Sequence, residues 1–551
     1  MTLTMFSQPY QIIVRALAVS GFILLATSII IFVSTNEIVS LGSDNVSYLL
    51  MAEAFSPYRT ATEIVREAAR HQTYPPLFPL VLALLGASSD YLWAHRIVGG
   101  EFLLSCALLY FLARKMLGST SLALIVLLAF GLIPASWVNV LGILSENQYL
   151  ALSLGAFLFL RRERSRNTDS ICLAGLLIAA VLTRSIGLAL AGAVLMGAFF
   201  WSRSELNSRR QAAAATLAAA ISFVLWMVFS GSASESHYLE NWLQVGRVLT
   251  DAGPGGMGQF LVFQIIQIWE ALLTGLIHHW VLKGESTVIL LCLFLFIALI
   301  DIAWRLKSGE VEAIYLLVFL CVLMCWGAAG GQMWRLVYPI IPLILVFFVS
   351  GIDRICRFIP FDRHPKYIRF FLCALLLITL SSGGWFILER RQHAESNGTG
   401  GYRYMTAYYQ GVNLPAAKSK AQAEFAIIEG LRKLSLLTEP SSVVAWFSPM
   451  YINLLSKRRS AEIPLTPDGH ETKAYLRKEG VDFVFLSRYH PRQYADHVNG
   501  LKSLDFYASM GQLVQPTDRC GGMVGEMICV LIKITPVSSI QATIKSLPTR
   551  L

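Results

Sequence analysis

Apolar segments long enough to cross a lipid bilayer recur along most of this chain, and that recurrence constrains its fold more than any single residue does. About 20 apolar residues in a helix, rising about 1.5 Å each, cross a hydrocarbon core about 30 Å thick. The first such segment runs from about Gln11 to Val33. It is too long for a signal-peptide core and has no clear small-residue cleavage site, so it is expected to remain as an anchor. Further spans are expected near 92–113, 117–137, 144–160, 170–183, 186–201, 212–230, 287–303, 312–328, 337–351 and 370–387, about eleven in all. Segment 259–280 is cut by Gln264, Gln267 and Glu270 and reads as an interfacial or re-entrant helix. Composition agrees with a polytopic membrane protein: of 551 residues 55% are hydrophobic and 15% charged, too little charge to cover a soluble surface. The formal net charge is +10, but no basic run is interleaved with aromatic residues, which excludes a nucleic-acid groove.

Basic residues sort the loops. Arg114 and Lys115, then Arg161, Arg162, Arg164 and Arg166, then Arg203, Arg209 and Arg210 lie between spans on one side. Arg305 and Lys307 join them, as do Arg354, Arg357, Arg363, Lys366 and Arg369. The positive-inside rule places this side, and the N-terminus, in the cytoplasm. The loops at 34–90 and 231–258, and everything beyond about 388, then face outward. Compact loops and the absence of an obvious retention signal point to a bacterial inner membrane.

The expected fold class is therefore a membrane all-α domain over 1–387, with amphipathic surface helices in its first outer loop, and a small extracytoplasmic α/β domain over 388–551. In that second domain, 421–437 repeats apolar residues at helical spacing, and 441–447, 481–487 and 527–534 read as buried strands. No glycine-rich phosphate fingerprint follows a strand. Cys520 and Cys529 both fall there and would be free to pair in an oxidising compartment. The other cysteines lie in or beside spans and read as small apolar residues, and for Cys321 and Cys325, one turn apart, packing is the better reading.

The first outer loop holds the leading chemical candidate. Asp44 precedes a helix in which Tyr48, Met51 and Phe55 recur at helical spacing, and a capping role and a proton-accepting role are both open to it. A charged segment (Arg59 to Arg70) follows, then Tyr74-Pro75-Pro76-Leu77-Phe78-Pro79 ahead of an apolar run too short to span, which reads as lying at the membrane surface. Glu146, beside Asn139 and Ser136 in sequence, stands where the fourth span begins, on the same outer face. Arg184 and Arg335 break the positive-inside pattern. Either they snorkel to headgroups, or they form a clamp for phosphate, which guanidinium binds in a bidentate manner. Glu101, within the second span, is expected to pair with a polar neighbour such as Arg96. Adjacent His278 and His279 point to different helix faces and make a poor metal site, and the chain has no D-x-D, so a divalent metal is unsupported.

Taken together, Ser43-Asp44-Asn45-Val46-Ser47-Tyr48, Tyr74-Pro75-Pro76-Leu77-Phe78-Pro79-Leu80, Ser145-Glu146, Thr183-Arg184-Ser185 and Arg335-Leu336-Val337-Tyr338-Pro339-Ile340-Ile341-Pro342 resemble, in order and spacing, the membrane-embedded C-type glycosyltransferases (GT-C) that use polyprenyl-phosphate sugars. Their relatives include protein O-mannosyltransferases and lipid A aminoarabinose transferases. Two positions depart from the pattern: Asn45 stands where many relatives carry a second acid, and Tyr74 where many carry a lysine. The resemblance implies transfer of a sugar from a polyprenyl-phosphate donor to a hydroxyl of a lipid, glycan or protein acceptor, with inversion. Asp44 and Glu146 would be catalytic, Arg335, Arg184 and Tyr74 would contact the donor phosphate, and Tyr48, Asn45, Tyr338 and His278 would line the substrate cavity. The competing readings are a transporter or flippase of lipid-linked sugars and a non-catalytic envelope assembly protein. A transporter would carry its ionisable groups near the midplane, whereas these cluster at one face.

Overall fold

The structure is a computed structural model. It describes residues 8–34, 39, 41, 44–72, 74–161, 167–200, 206–229, 243, 246–247, 250, 253–276, 285–326, 333–358, 414–464, 469–487, 506–507, 509–514 and 529–534. The helices run α1 (Gln8–Val33), α2 (Asn45–Phe55), α3 (Glu63–Arg70), α4 (Leu77–Leu84), α5 (Tyr91–Leu117), α6 (Thr120–Leu132), α7 (Pro134–Leu141), α8 (Glu146–Leu160), α9 (Asn167–Thr183) and α10 (Gly187–Phe200). They continue as α11 (Leu206–Phe229), α12 (Gly253–Leu276), α13 (Glu285–Lys307), α14 (Val311–Met324), α15 (Met333–Val337) and α16 (Ile341–Phe358), with a 3-10 turn at Tyr338–Ile340. The C-terminal part holds α17 (Leu414–Leu437), β1 (Val443–Trp446), α18 (Pro449–Ser456), β2 (Arg459–Glu462), α19 (Gly469–Lys478), β3 (Phe483–Ser487), β4 (Gly511–Val514) and β5 (Cys529–Ile534). Two compact units share the chain: Met1–Asn36 with Thr73–Phe78 and Leu92–Asn397, and Glu37–Gln72 with Pro79–Tyr91 and Gly398–Leu551.

The first unit is helical. Among the described residues, Tyr91–Leu117, Arg209–Phe229, Gly256–Leu273 and Met333–Ile355 are long and apolar enough to cross a membrane, and the bent pair α6–α7 counts as a fifth. Not every expected span meets this measure among the described residues. Several expected spans form helices of 14 to 17 residues, such as α9, α10 and α14, about 21–26 Å long and short of a hydrocarbon core. The expected span at 370–387 lies outside the described residues. Of segment 259–280, read as an interfacial or re-entrant helix, 277–280 lie outside the described residues and 259–276 belong to α12, whose Gly256–Leu273 stretch is long and apolar enough to span. Its Gln264 is buried, so polarity there faces protein and leaves the helix unbroken.

The 55° bend between α6 and α7 follows from Pro134. Proline lacks the N–H that would reach the carbonyl of Phe130 and holds Ile133 extended (φ −64°, ψ 146°). Ser136 Oγ donates to that carbonyl instead, at 2.6 Å. Charge is handled as carefully. Asp301 is fully buried and pairs with Arg305 and Arg354, while Arg161, at the end of α8, pairs with Glu310 and Glu312. Arg305 also reaches Glu310 Oε2 (2.6 Å) and donates to Ser350 Oγ (3.0 Å), so one network ties α8, α13, α14 and α16. Where α13 meets α16, a Cβ at Gly351 would lie 2.4 Å from the carbonyl of Ile297; only glycine admits that approach. Arg96 donates to Ser34 Oγ (3.2 Å) rather than pairing with Glu101 as expected. Cys106 is buried and Cys172 and Cys292 are exposed; Cys321 and Cys325, expected to pack, are exposed too.

The second unit is built on a mixed five-stranded sheet in the order β2-β1-β3-β5-β4. β1 pairs in parallel with β2 and β3, and β5 runs antiparallel to β3 and β4. Val444, Ala445, Val484, Leu486, Val530 and Ile532 are buried, as the apolar runs of β1, β3 and β5 require for central strands. Trp446 is fully buried and donates from Nε1 to Ser487 Oγ at 3.2 Å. Cys529 is disulfide-bonded; Cys520 lies outside the described residues. The first polar stretch also belongs to this unit. Residues 45–52 of α2 are all buried, so this helix is enclosed rather than amphipathic. α3 is the amphipathic one, with Val65 buried, Thr62 accepting from Val65 N–H (3.4 Å) and Glu63 pairing with Arg66 (3.0 Å).

Candidate functional site

In the first unit, three sequence-distant ionisable side chains converge. Glu146 is the first residue of α8, where the positive end of a helix favours a carboxylate. Its side chain is fully buried. Arg335 holds Glu146 Oε1 through Nη2 (2.8 Å) and Nε (2.9 Å), and Arg184 holds the same oxygen through Nη1 (2.8 Å). Arg184 Nη1 also donates to Ser145 Oγ at 3.3 Å. The two arginine side chains are 12% and 14% exposed, so each keeps an edge toward solvent. The trio carries a formal charge of +1 from two guanidiniums and one carboxylate. A buried carboxylate so held is a rigid anchor that fixes the planes of both guanidiniums.

Local sequence explains how these residues arrive there. Arg184 occupies the turn between α9 and α10, closed by Gly187 N–H donating to the Arg184 carbonyl at 2.8 Å. A Cβ at Gly187 would lie 2.7 Å from the Ala180 backbone. Gly187→Val is thus expected to wedge α9 from α10 and cost about 1–3 kcal/mol. A lowered melting temperature of the purified protein checks this, and an unchanged one contradicts it. Arg335 sits on the five-residue α15, and the proline-containing turn Tyr338–Ile340 leads from it into α16. Tyr338 is buried there, its hydroxyl donating to Asn147 Oδ1 (2.9 Å) and its ring stacking on Phe130 (5.7 Å).

Asp44, Asn45 and Tyr48 belong to the second unit. Asp44 holds the N-cap position of α2 without a side-chain capping hydrogen bond, so the cap reading is met by the backbone alone. Its carbonyl accepts from Tyr48 N–H at 3.1 Å. Asn45 and Tyr48, expected to line a cavity, are buried; Asn45 Oδ1 accepts from Val46 N–H (2.8 Å) and from Tyr451 Oη (3.4 Å). Tyr74 is half-buried in the turn ahead of α4, and His278 lies outside the described residues. Among the described residues, no group of three or more His, Cys, Asp or Glu is placed to hold a metal ion.

Neither a protein-family profile nor a curated protein matches the sequence. In structure the chain is similar to ArnT from Cupriavidus metallidurans bound to undecaprenyl phosphate, with a TM-score of 0.50 and 11% identity over 96% of this chain and 98% of that one. This chain shares the fold of that structure. Two archaeal structures from Archaeoglobus fulgidus are similar at lower scores. One is an oligosaccharyltransferase in complex with Zn and sulfate (TM-score 0.49, 14% identity, 90% of this chain and 71% of that one). The other is the oligosaccharyltransferase AglB with an inhibitory peptide and a dolichol-phosphate (0.47, 13%, 93% and 75%).

Within this fold, sequence reasoning missed Asn147. It is fully buried, accepts from Tyr338, donates from Nδ2 to the Asn139 carbonyl (3.3 Å) and receives Ser105 Oγ on its own carbonyl (3.1 Å). It thereby locks α5, α7 and the Tyr338 turn beside Glu146. The available signal was the polar run Ser145-Glu146-Asn147-Gln148 opening an apolar helix.

Proposed function

We propose that the protein is an integral membrane glycosyltransferase that moves a sugar from a polyprenyl-phosphate donor to an acceptor hydroxyl at the outer membrane face. The observation that carries this reading is the convergence of Arg184 and Arg335 on buried Glu146. The acceptor oxygen attacks the anomeric carbon, the bond from that carbon to the phosphate oxygen breaks, and Asp44 takes the acceptor proton. One displacement inverts the anomeric centre. The donor phosphodiester carries one negative charge and the departing polyprenyl phosphate two, so fixed guanidiniums bind the transition state more tightly than the donor. Glu146, held by both arginines, acts as the residue that orients them rather than as a proton acceptor. Tyr74 would supply a hydroxyl to the phosphate, with Tyr338 and His278 at the sugar. Further support comes from the shared fold of ArnT, whose structure holds undecaprenyl phosphate. The reading places the N-terminus in the cytoplasm and the α/β domain on the periplasmic side of a bacterial inner membrane.

The test is transfer of labelled sugar from a panel of polyprenyl-phosphate donors to a crude envelope fraction by the purified protein in lipid. Label in the acceptor supports the reading and names the sugar. No transfer from any donor, with folding and lipid-phosphate binding intact, turns the account toward transport or assembly.

A further inference from the structure

The second unit contains a backbone oddity next to an ion pair. Lys457 adopts φ 55°, ψ 35° at the end of α18, and it is the one non-glycine residue with positive φ among the described residues. Helices often end in this left-handed conformation, but glycine or asparagine normally takes it, because a Cβ costs about 1–2 kcal/mol there. A lysine held at such a position implies that its side chain is used. Its ammonium pairs with Glu53 Oε2 on α2, more than 400 residues away in sequence (|i−j| = 404).

The surroundings hold the lysine in place. The next residue, Arg458, is buried and donates from Nη2 to the carbonyls of Ser435 (2.7 Å) and Thr438 (2.9 Å), and from Nε to Thr438 Oγ1 (3.1 Å). It thus satisfies carbonyls at the end of α17 and pins the chain immediately after Lys457. On the other side, α18 lies along α2. Tyr451 donates to Asn45 Oδ1 (3.4 Å), Ser47 Oγ reaches Met450 Sδ (3.5 Å), and Lys457 meets Glu53. Asn45 and Ser47, in the first turn of α2, meet Tyr451 and Met450, in the first turn of α18, and Glu53 near the end of α2 meets Lys457 at the end of α18, so like ends of the two helices lie together. Parallel dipoles lying side by side repel, because their like partial charges sit together, and an ammonium beside both C-termini offsets that repulsion. Glu53 is the last charged residue of α2, and Asp44 is its N-cap.

We propose that Lys457 and Glu53 form a latch through which the C-terminal α/β domain fixes α2 and, with it, Asp44. The two are positioning residues for the proton acceptor. This rests on the reading of Asp44 as general base, but the latch itself is measurable without activity.

The experiment compares wild type with Lys457→Gly, Lys457→Arg and Glu53→Gln, by hydrogen–deuterium exchange over residues 45–55, by melting temperature, and by kcat and KM for polyprenyl-phosphate release. Glycine relieves the backbone strain, so a merely structural lysine would give an equally or more stable protein with unchanged exchange and kcat. The latch predicts that Lys457→Gly and Glu53→Gln raise exchange in 45–55 about tenfold, and that kcat falls about 10- to 100-fold, the scale of a misplaced catalytic group, with KM within about twofold. Lys457→Arg, which keeps charge and reach, restores both. Wild-type exchange in Lys457→Gly overturns the proposal, as does a fall in kcat without a change in exchange. If wild type itself releases no polyprenyl phosphate, the reading of Asp44 fails while the exchange result still decides the latch.

Discussion

Arg335→Met is expected to lower turnover by about 10²–10³-fold, the usual loss when one preorganised charge at a developing anion is removed. Methionine keeps most of the apolar length, so the change isolates the guanidinium. Two effects act together. The departing phosphate loses one of two fixed cations, and Glu146 Oε1 loses two of the donors now within 2.9 Å of it. Glu146 keeps Arg184, so the stability cost stays below the roughly 3–5 kcal/mol of a fully unpaired buried charge, but the melting temperature falls as well. Pairing Arg335→Met with Glu146→Gln separates the two. The double variant removes one charge of each sign, and it should regain stability without regaining turnover. Recovery of both would mean that the trio is only a structural ion pair. An unchanged rate in Arg335→Met would remove the arginines from the phosphate altogether.

Asp44→Asn is the second large effect. The amide preserves shape but accepts no proton, so kcat should drop by about 10²–10⁴-fold, the range of general-base assistance. The backbone closure of the helix, Tyr48 N–H donating to the residue 44 carbonyl, does not depend on the carboxylate. Donor binding should also persist, measured by competition with polyprenyl phosphate. Full turnover by Asp44→Asn would assign the proton to another group or to water.

The sequence displayed those parts of the fold that rest on local pattern. α1 and the central strands β1, β3 and β5 were legible because their apolar runs are continuous and bounded by turns. β2 (Arg459–Glu462) and β4 (Gly511–Val514) were not. Both are four-residue edge strands, and an edge is defined by what it pairs with rather than by its own composition. Gln264 misled for a related reason: polar residues argue against a span only if they face lipid, and Gln264 is buried. At the site, Glu146, Arg184 and Arg335 stood out because charge beside a span is rare and costly without a role. Their meeting on one carboxylate oxygen was not legible, since 189 residues separate Arg335 from Glu146. The contacts of α2 with α18 bridge separations of 403 to 406 residues, and nothing local in Ser43–Tyr48 announces them.

The most direct measurement is release of polyprenyl phosphate by the purified protein in lipid, with and without an acceptor fraction, for wild type and Asp44→Asn side by side. The account predicts release from at least one polyprenyl-phosphate sugar that requires both the acceptor and Asp44. Release from no donor, or release indifferent to the acceptor and to Asp44, would contradict it.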